Sequence, residues 1–226
     1  MSTGVNLKMR ENSFYTNLWC IALPVTMQSL LQSSFSMIDQ VMIGQLGEVS
    51  IAGIGLGGKF ASMYSVVLGA IAAAAGIMIG KQLGNGDEDV AYRDAGRFMG
   101  CGVIGSLVLS ATLVLLAPAY VRIYQVEPQV RELTRQILIA FAIIAPVKVQ
   151  NMILGGGIIR SGGKTKYIMV VDFIGTWLFG VPLGLLGAFV WKLPIPWVYF
   201  ILSLEEVVRL LISIFLFRKK VWMEQL

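Results

Sequence analysis

The chain has 226 residues, of which 56% are hydrophobic and only 14% charged, with no histidine and a net charge of +5. A soluble globule of this size could not cover so much apolar side chain with polar surface, so the composition points to an integral membrane protein. The missing histidine excludes Ser-His-Asp triads and His-based proton relays and argues against His-ligated zinc hydrolases. Cys20 and Cys101 are the two cysteines, both inside apolar stretches, so no disulfide framework is implied.

A bilayer core needs about 20 consecutive apolar residues per helix. Six stretches qualify, at about 14–43, 51–80, 98–121, 134–159, 167–191 and 194–217. The expected fold is therefore all-α, with six transmembrane helices forming one domain over residues 1–226. Phe60–Gly80, Phe98–Val121 and Phe173–Trp191 carry no charge at all. The runs are continuous rather than alternating, which argues against a membrane β-barrel.

In the first span Gln28, Gln32, Ser36 and Asp39 fall on one helical face. A polar stripe leading to a carboxylate suits the wall of a wet cavity, where Asp39 can exchange protons. The competing reading places Asp39 at the membrane interface, where Gln40 and Gly44 end the helix. The second span is bracketed by Gly53-x-x-x-Gly57 and Gly76-x-x-x-Gly80, a spacing that lets helix backbones approach closely. Lys59 lies where its stem can snorkel to an interface. After this span, Gly84-Asn85-Gly86-Asp87 predicts a tight turn leading into a short polar helix. No Gly-x-x-x-x-Gly-Lys-Ser/Thr loop occurs, which excludes P-loop ATP hydrolysis within this chain.

In the later spans, Lys148 falls roughly mid-helix, and Glu205 or Glu206 is positioned to neutralise it across helices. Glu205 and Arg209 are four apart and can pair along one helix. Asp172 lies about one turn inside its span, facing either a site or the basic loop that holds Lys164 and Lys166. Pro24, Pro146 and Pro182 bend their helices, and Gly155-Gly156-Gly157 is a candidate hinge. Ionisable groups at membrane depth are costly, so each of these needs a partner or a task.

Lysine and arginine placement orients the chain. With a cytoplasmic N-terminus, the inner segments hold Lys8, Arg10, Lys81, Arg93, Arg97, Arg160, Lys164, Lys166, Arg218, Lys219 and Lys220. The outer segments hold Arg122, Arg131, Arg135 and Lys192. Both termini are then cytoplasmic, and the net charge reflects topology and contact with anionic headgroups in a plasma or bacterial inner membrane, not nucleic-acid binding. The first apolar run is too long for a cleaved signal, and no small-residue cleavage site ends it.

Several segments together resemble one family. Ile21-Ala-Leu-Pro24, Ile38-Asp-Gln-Val-Met-Ile-Gly-Gln-Leu-Gly47 and Gly80-Lys-Gln-Leu-Gly-Asn-Gly-Asp87 are similar to the opening of multidrug and toxic-compound extrusion (MATE) transporters. Ile159-Arg-Ser-Gly-Gly-Lys-Thr-Lys166, Val171-Asp-Phe-Ile-Gly-Thr-Trp-Leu178 and Gly180-Val-Pro-Leu-Gly184 also resemble that family. The resemblance implies a secondary antiporter that expels amphipathic, often cationic organic compounds against H⁺ or Na⁺. It implies no cofactor beyond that ion. Asp39 matches the family's acidic position in the first helix, associated with cation coupling; Asp172 lies earlier in its helix than the family's second acidic site. Family members have twelve helices in two lobes, whereas this chain supplies six. Its beginning resembles the first lobe, and the stretch from about Arg160 the end of the second. A half-size member working as a homodimer, a fused remnant and an incomplete reading frame are the alternatives.

Other functions fare less well. A non-transporting MATE remnant or membrane interaction protein is the main alternative. A lipid-linked-precursor flippase would want a larger intramembrane basic cluster. An intramembrane aspartyl protease needs paired carboxylates at one depth, whereas Asp39 and Asp172 are expected near opposite faces, and Gly84–Asp87 falls in a turn. The chain is expected not to be an enzyme.

Overall fold

The computed structural model describes residues 3–223, with the side chains of 1–18, 20, 21 and 24 outside the described residues. The side-chain readings at Lys8, Arg10, Cys20, Ile21 and Pro24 therefore lie outside them. The chain runs as α1 (Thr3–Gly44), α2 (Glu48–Gly84), α3 (Glu88–Ile123), α4 (Pro128–Ile159) and α5 (Thr165–Val190). Two shorter helices, α6 (Ile195–Ser203) and α7 (Glu205–Arg218), and a 3₁₀ turn (Val221–Met223) complete it. Among the described residues there is no strand.

Four of these helices, α2 to α5, are long and apolar enough to cross a membrane. The other two expected spans, the first and the sixth, are not among them. The first lies within α1, whose Gln28, Gln32, Ser33, Ser34, Ser36 and Asp39 dilute its apolar character. The sixth divides at Leu204 into α6 and α7, so the charged run Glu205–Glu206–Arg209 opens a new helix instead of interrupting one. The polar segment after Asp87 is not a separate short helix. It forms the first turns of α3, which continue unbroken into the apolar run.

Connections are short, and three of them contain a glycine with positive φ: Gly47, Gly86 and Gly163. Gly86 adopts φ 84°, a left-handed conformation in which a side chain would be strained. It closes α2 with Asp87 N–H donating to the Gln82 carbonyl at 3.0 Å.

The α2–α3–α4 core is built around small residues. A Cβ on Gly53 would lie 2.9 Å from Leu133 Cδ2, and one on Gly57 3.1 Å from Ile137 Cγ2. Further along, Gly157 of α4 meets the Ala72 carbonyl of α2, where a Cβ would come within 2.6 Å. The two glycine pairs of α2 thus bring its backbone against α4 along most of its length. Tyr64 finishes the seam: its ring meets Phe141 edge-on, centroids 5.3 Å apart, and its hydroxyl donates to the Ser106 carbonyl at 3.2 Å. Met63, Val66, Ile77, Ile104, Leu115 and Ile143 remain exposed, as expected for side chains facing lipid.

Three stretches have π-type turns: Met152–Ile159 in α4, and Ile174–Gly180 and Leu186–Val190 in α5. The first contains Gly155-Gly156-Gly157, whose weak helix preference makes the wider turn cheap. The candidate hinge is thus a continuous helix with altered winding. π-type turns are frequent at functional sites, and two of these border the cavity described next.

Candidate intramembrane ion-pair site

α1 packs mainly on α5, and α7 closes against α4 and α5. Between them lies a cavity of about 580 Å³ whose polar wall includes Gln28, Gln32, Lys148, Asn151, Arg160, Asp172, Thr176, Glu205, Glu206 and Arg209. A second cavity of about 170 Å³ adjoins it, lined by Asp39, Tyr199 and Ser203 among others. Phe35, Lys148, Glu205 and Glu206 belong to both walls, so the two spaces are neighbours.

Arg209 is the hub. Its guanidinium lies 3.0 Å from Glu205 Oε1, 3.8 Å from Asp172 Oδ1 and 3.9 Å from Glu206 Oε2, and it donates to Thr176 Oγ1. α5 makes room for this group with glycines: a Cβ at Gly175 would strike the Arg209 side chain, and one at Gly180 would strike the Glu205 carboxylate. Lys148 Nζ is 3.9 Å from Glu206 Oε1. Asn151 donates to Glu206 Oε2 at 2.9 Å and to its backbone carbonyl at 2.6 Å. On the α1 side, Gln28 donates to Asp172, while its own carbonyl oxygen accepts from Arg160 Nη2 at 2.6 Å.

Every ion-pair candidate read from the sequence (Lys148, Glu205, Glu206, Arg209) thus falls in one cluster, and Asp172 joins it instead of facing the basic loop. Asp39 is half-buried, and its Oδ1 is buried without a hydrogen-bond partner among the described residues. Of the polar stripe, Gln28 is buried and Gln32 lies in the cavity wall. Ser36 is exposed and lines neither cavity. Lys59 is exposed on α2. Among the described residues, no group of three or more Cys, Asp or Glu could hold a metal ion.

Asn151, Arg160, Thr176 and Tyr199 were not singled out as site residues from the sequence. Helical spacing gives a signal for two of them: Thr176 is one turn from Asp172, and Asn151 is three residues from Lys148. Arg160 reads as a loop charge until α4 is seen to carry it to the cavity.

The family model for MatE matches residues 24–186, well over half of the chain. The chain belongs to the MatE family. The fold agrees with solved structures of MATE and MOP-superfamily transporters. The Vibrio cholerae MATE transporter VcmN in its bent form superposes with a TM-score of 0.81 at 17% identity, over 93% of this chain and 49% of that one. A MOP superfamily transporter from Pyrococcus furiosus Vc1 (DSM3638), with a binding pocket described as of reverse polarity, gives 0.75 at 20% identity over 90% and 45%. An outward-facing multidrug resistance MATE family transporter gives 0.70 at 22% identity, again over 90% and 45%. The MatE chain here spans about half the length of the structures it matches. It is a multi-pass membrane protein with a MATE-like fold.

Proposed function

We propose that this chain is one half of a secondary active exporter, moving amphipathic or cationic organic compounds across the plasma or inner membrane in exchange for H⁺ or Na⁺. A second copy, or a second lobe, completes the passage. Asp39 serves as the coupling group, both termini face the cytoplasm, and no cofactor other than the driving ion takes part. The reading makes the protein a transporter and not an enzyme.

One observation carries the proposal: Asp39 opens on a small polar cavity that shares walls with a larger charged one at membrane depth. Ionisable side chains in that position are expensive, and a pathway for ions or substrate is the common reason they are kept. Coupling requires that the driving ion bind the two facing states unequally. An Asp39 carboxylate that is enclosed in one state and wetted in the other meets that requirement. The glycine-lined, π-wound segments of α4 and α5 supply surfaces that can rearrange around it.

Everted membrane vesicles expressing the chain test this. A pH- or Na⁺-driven accumulation of a cationic dye is expected in the unmodified protein and is expected to vanish in Asp39→Asn. Undiminished driven transport in Asp39→Asn rejects Asp39 as the coupling group. Absence of any driven transport by the unmodified chain, with the protein folded and self-associated in the membrane, rejects the exporter reading.

A further inference from the structure

Arg209 faces three carboxylates at once: Glu205 at 3.0 Å, Asp172 at 3.8 Å and Glu206 at 3.9 Å. The charged groups that share the cavity walls with Glu205 come from α7 and the helices around it. Arg209 and Glu206 lie on α7 itself, Asp172 on α5, Lys148 and Arg160 on α4, and Asp39 on α1 across the shared wall; Tyr199 of α6 is the remaining titratable neighbour. Their charges do not balance. Lys148 is 40% exposed and spends its charge on Glu206, while Arg160 is turned to Gln28. Setting Arg209, Lys148 and Arg160 against Asp39, Asp172, Glu205 and Glu206 leaves one negative charge over.

An uncompensated carboxylate out of contact with water is strongly disfavoured, and a bound proton is the ordinary remedy. The hydrogen bonds indicate which group takes it. Asp172 accepts from Gln28. Glu206 Oε2 accepts from Asn151. Glu205 is 6% exposed, and its Oε1 is held by Arg209, yet its Oε2 is buried with no hydrogen-bond partner among the described residues. That oxygen lies over Gly180, where the missing side chain lets it approach the α5 backbone. An ionised carboxylate would leave a share of its negative charge on this bare atom. A carboxylic acid would not.

We propose that Glu205 is a second proton-binding site, holding its proton on Oε2 as a neutral acid that can give it to water entering the adjoining cavity. On release, only the O–H bond breaks: the proton passes to water, and the new carboxylate draws the Arg209 guanidinium away from Asp172. Protonation of Glu205 therefore decides how firmly Arg209 ties α7 to α5. The exporter reading gives this site its purpose, as a coupling proton beyond that of Asp39. The site itself exists, or fails to, independently of any flux.

Infrared spectroscopy of the full chain in lipid nanodiscs tests the assignment. At neutral pH the unmodified protein is expected to show the carbonyl-stretch band of a protonated carboxyl, which diminishes as the pH is raised. Carboxyl-¹³C labelling of glutamate alone should move that band to lower frequency, an observation that needs no variant. The label-sensitive band should disappear in Glu205→Gln and persist in Asp39→Asn. Absence of the band from the unmodified protein, its indifference to the glutamate label, or survival of the label-sensitive band in folded Glu205→Gln each overturns the proposal. Should Glu205→Gln fail to fold, the labelling result and Glu205→Asp decide: in the latter the band is expected to persist but to lose its response to the glutamate label. Because no transport is measured, loss of driven efflux in vesicles would leave this result standing.

Discussion

Gln28 of α1 donates a hydrogen bond to Asp172 of α5, joining residues 144 positions apart in the chain. The same amide accepts from Arg160 through its carbonyl oxygen, so both ends of one neutral side chain are used. α1 meets the ion-pair cluster through an uncharged bridge, not through a salt bridge.

Replacing Gln28 by Leu removes that bridge while keeping side-chain volume. Asp172, largely buried, loses a donor at a cost of about 1–3 kcal/mol, whereas the exposed Arg160 can turn to water instead. The expected outcome is a clear fall in thermal stability in detergent, with α1 released first. Gln28→Glu should be worse for Asp172, since it places a second carboxylate where a donor stood, even as it improves the contact with Arg160. Cysteine accessibility along α1, compared among the three proteins, reads the loosening directly. Equal accessibility in all three would show that the bridge does not hold α1.

The Arg209 hub predicts an asymmetry between the two cluster cations. Arg209→Met leaves Asp172 and Glu206 without their shared counter-charge, and breaking such buried pairs costs about 3–5 kcal/mol. Lys148→Met should cost far less, because Lys148 is 40% exposed and its contact with Glu206 is long at 3.9 Å. Combining Arg209→Met with Asp172→Asn should recover part of the loss, since the neutral amide no longer needs the guanidinium. A double-mutant cycle on unfolding midpoints measures this. Strict additivity would show that Asp172 and Arg209 do not depend on each other.

The helices themselves were legible because a bilayer demands long apolar runs, and those of α2 to α5 are unmistakable in the sequence. What pairs with what was not. Asp172 sits one turn inside its helix, and its position along the chain suggests the nearby loop lysines as partners. Only the packing of α1 on α5 reveals Gln28, and only the break at Leu204 turns Arg209 toward α5. That break has no strong local signature: Ser203 and Leu204 are ordinary helix residues, and α6 and α7 both pack on α4 and α5. Periodicity places Ser36 on the face of Gln28, Gln32 and Asp39, yet the cavity walls take Phe35 and Asp39 on either side of it and leave Ser36 out.

The seam between α2 and α4 makes a prediction about shape alone. A Cβ at Gly157 would come within 2.6 Å of the Ala72 carbonyl oxygen, a rigid backbone atom, so Gly157→Ala must push the helices apart. Overpacking of this kind costs about 1–3 kcal/mol. Gly100→Ala, on an exposed face of α3 with nothing within 4 Å, should be neutral or should stabilise by up to about 1 kcal/mol through better helix propensity. Thermal shift assays on the pair separate the two effects. Similar midpoints for both variants would show that the close approach is not maintained in the membrane.

The end of α7 is secured by rings. Trp222 is fully buried, stacked on Phe217 with centroids 5.6 Å apart, and Phe217 stacks in turn on Tyr92 of α3 at 4.9 Å. The indole N–H also donates to the Phe217 carbonyl at 3.2 Å, capping the last turn. The Trp222 backbone fits directly over Gly162, in the α4–α5 connection, with no space for a side chain there. One residue therefore ties α7, α3 and the α4–α5 turn together. Trp222→Ala is expected to cost about 3–5 kcal/mol, whereas Trp222→Phe, which keeps the stack and loses only the N–H, should cost about 1 kcal/mol. Limited proteolysis gives a positional readout: cleavage after Lys219 or Lys220 should rise sharply in Trp222→Ala and little in Trp222→Phe. If both variants are cut alike, the hydrogen bond holds this end of the helix and the ring stack does not.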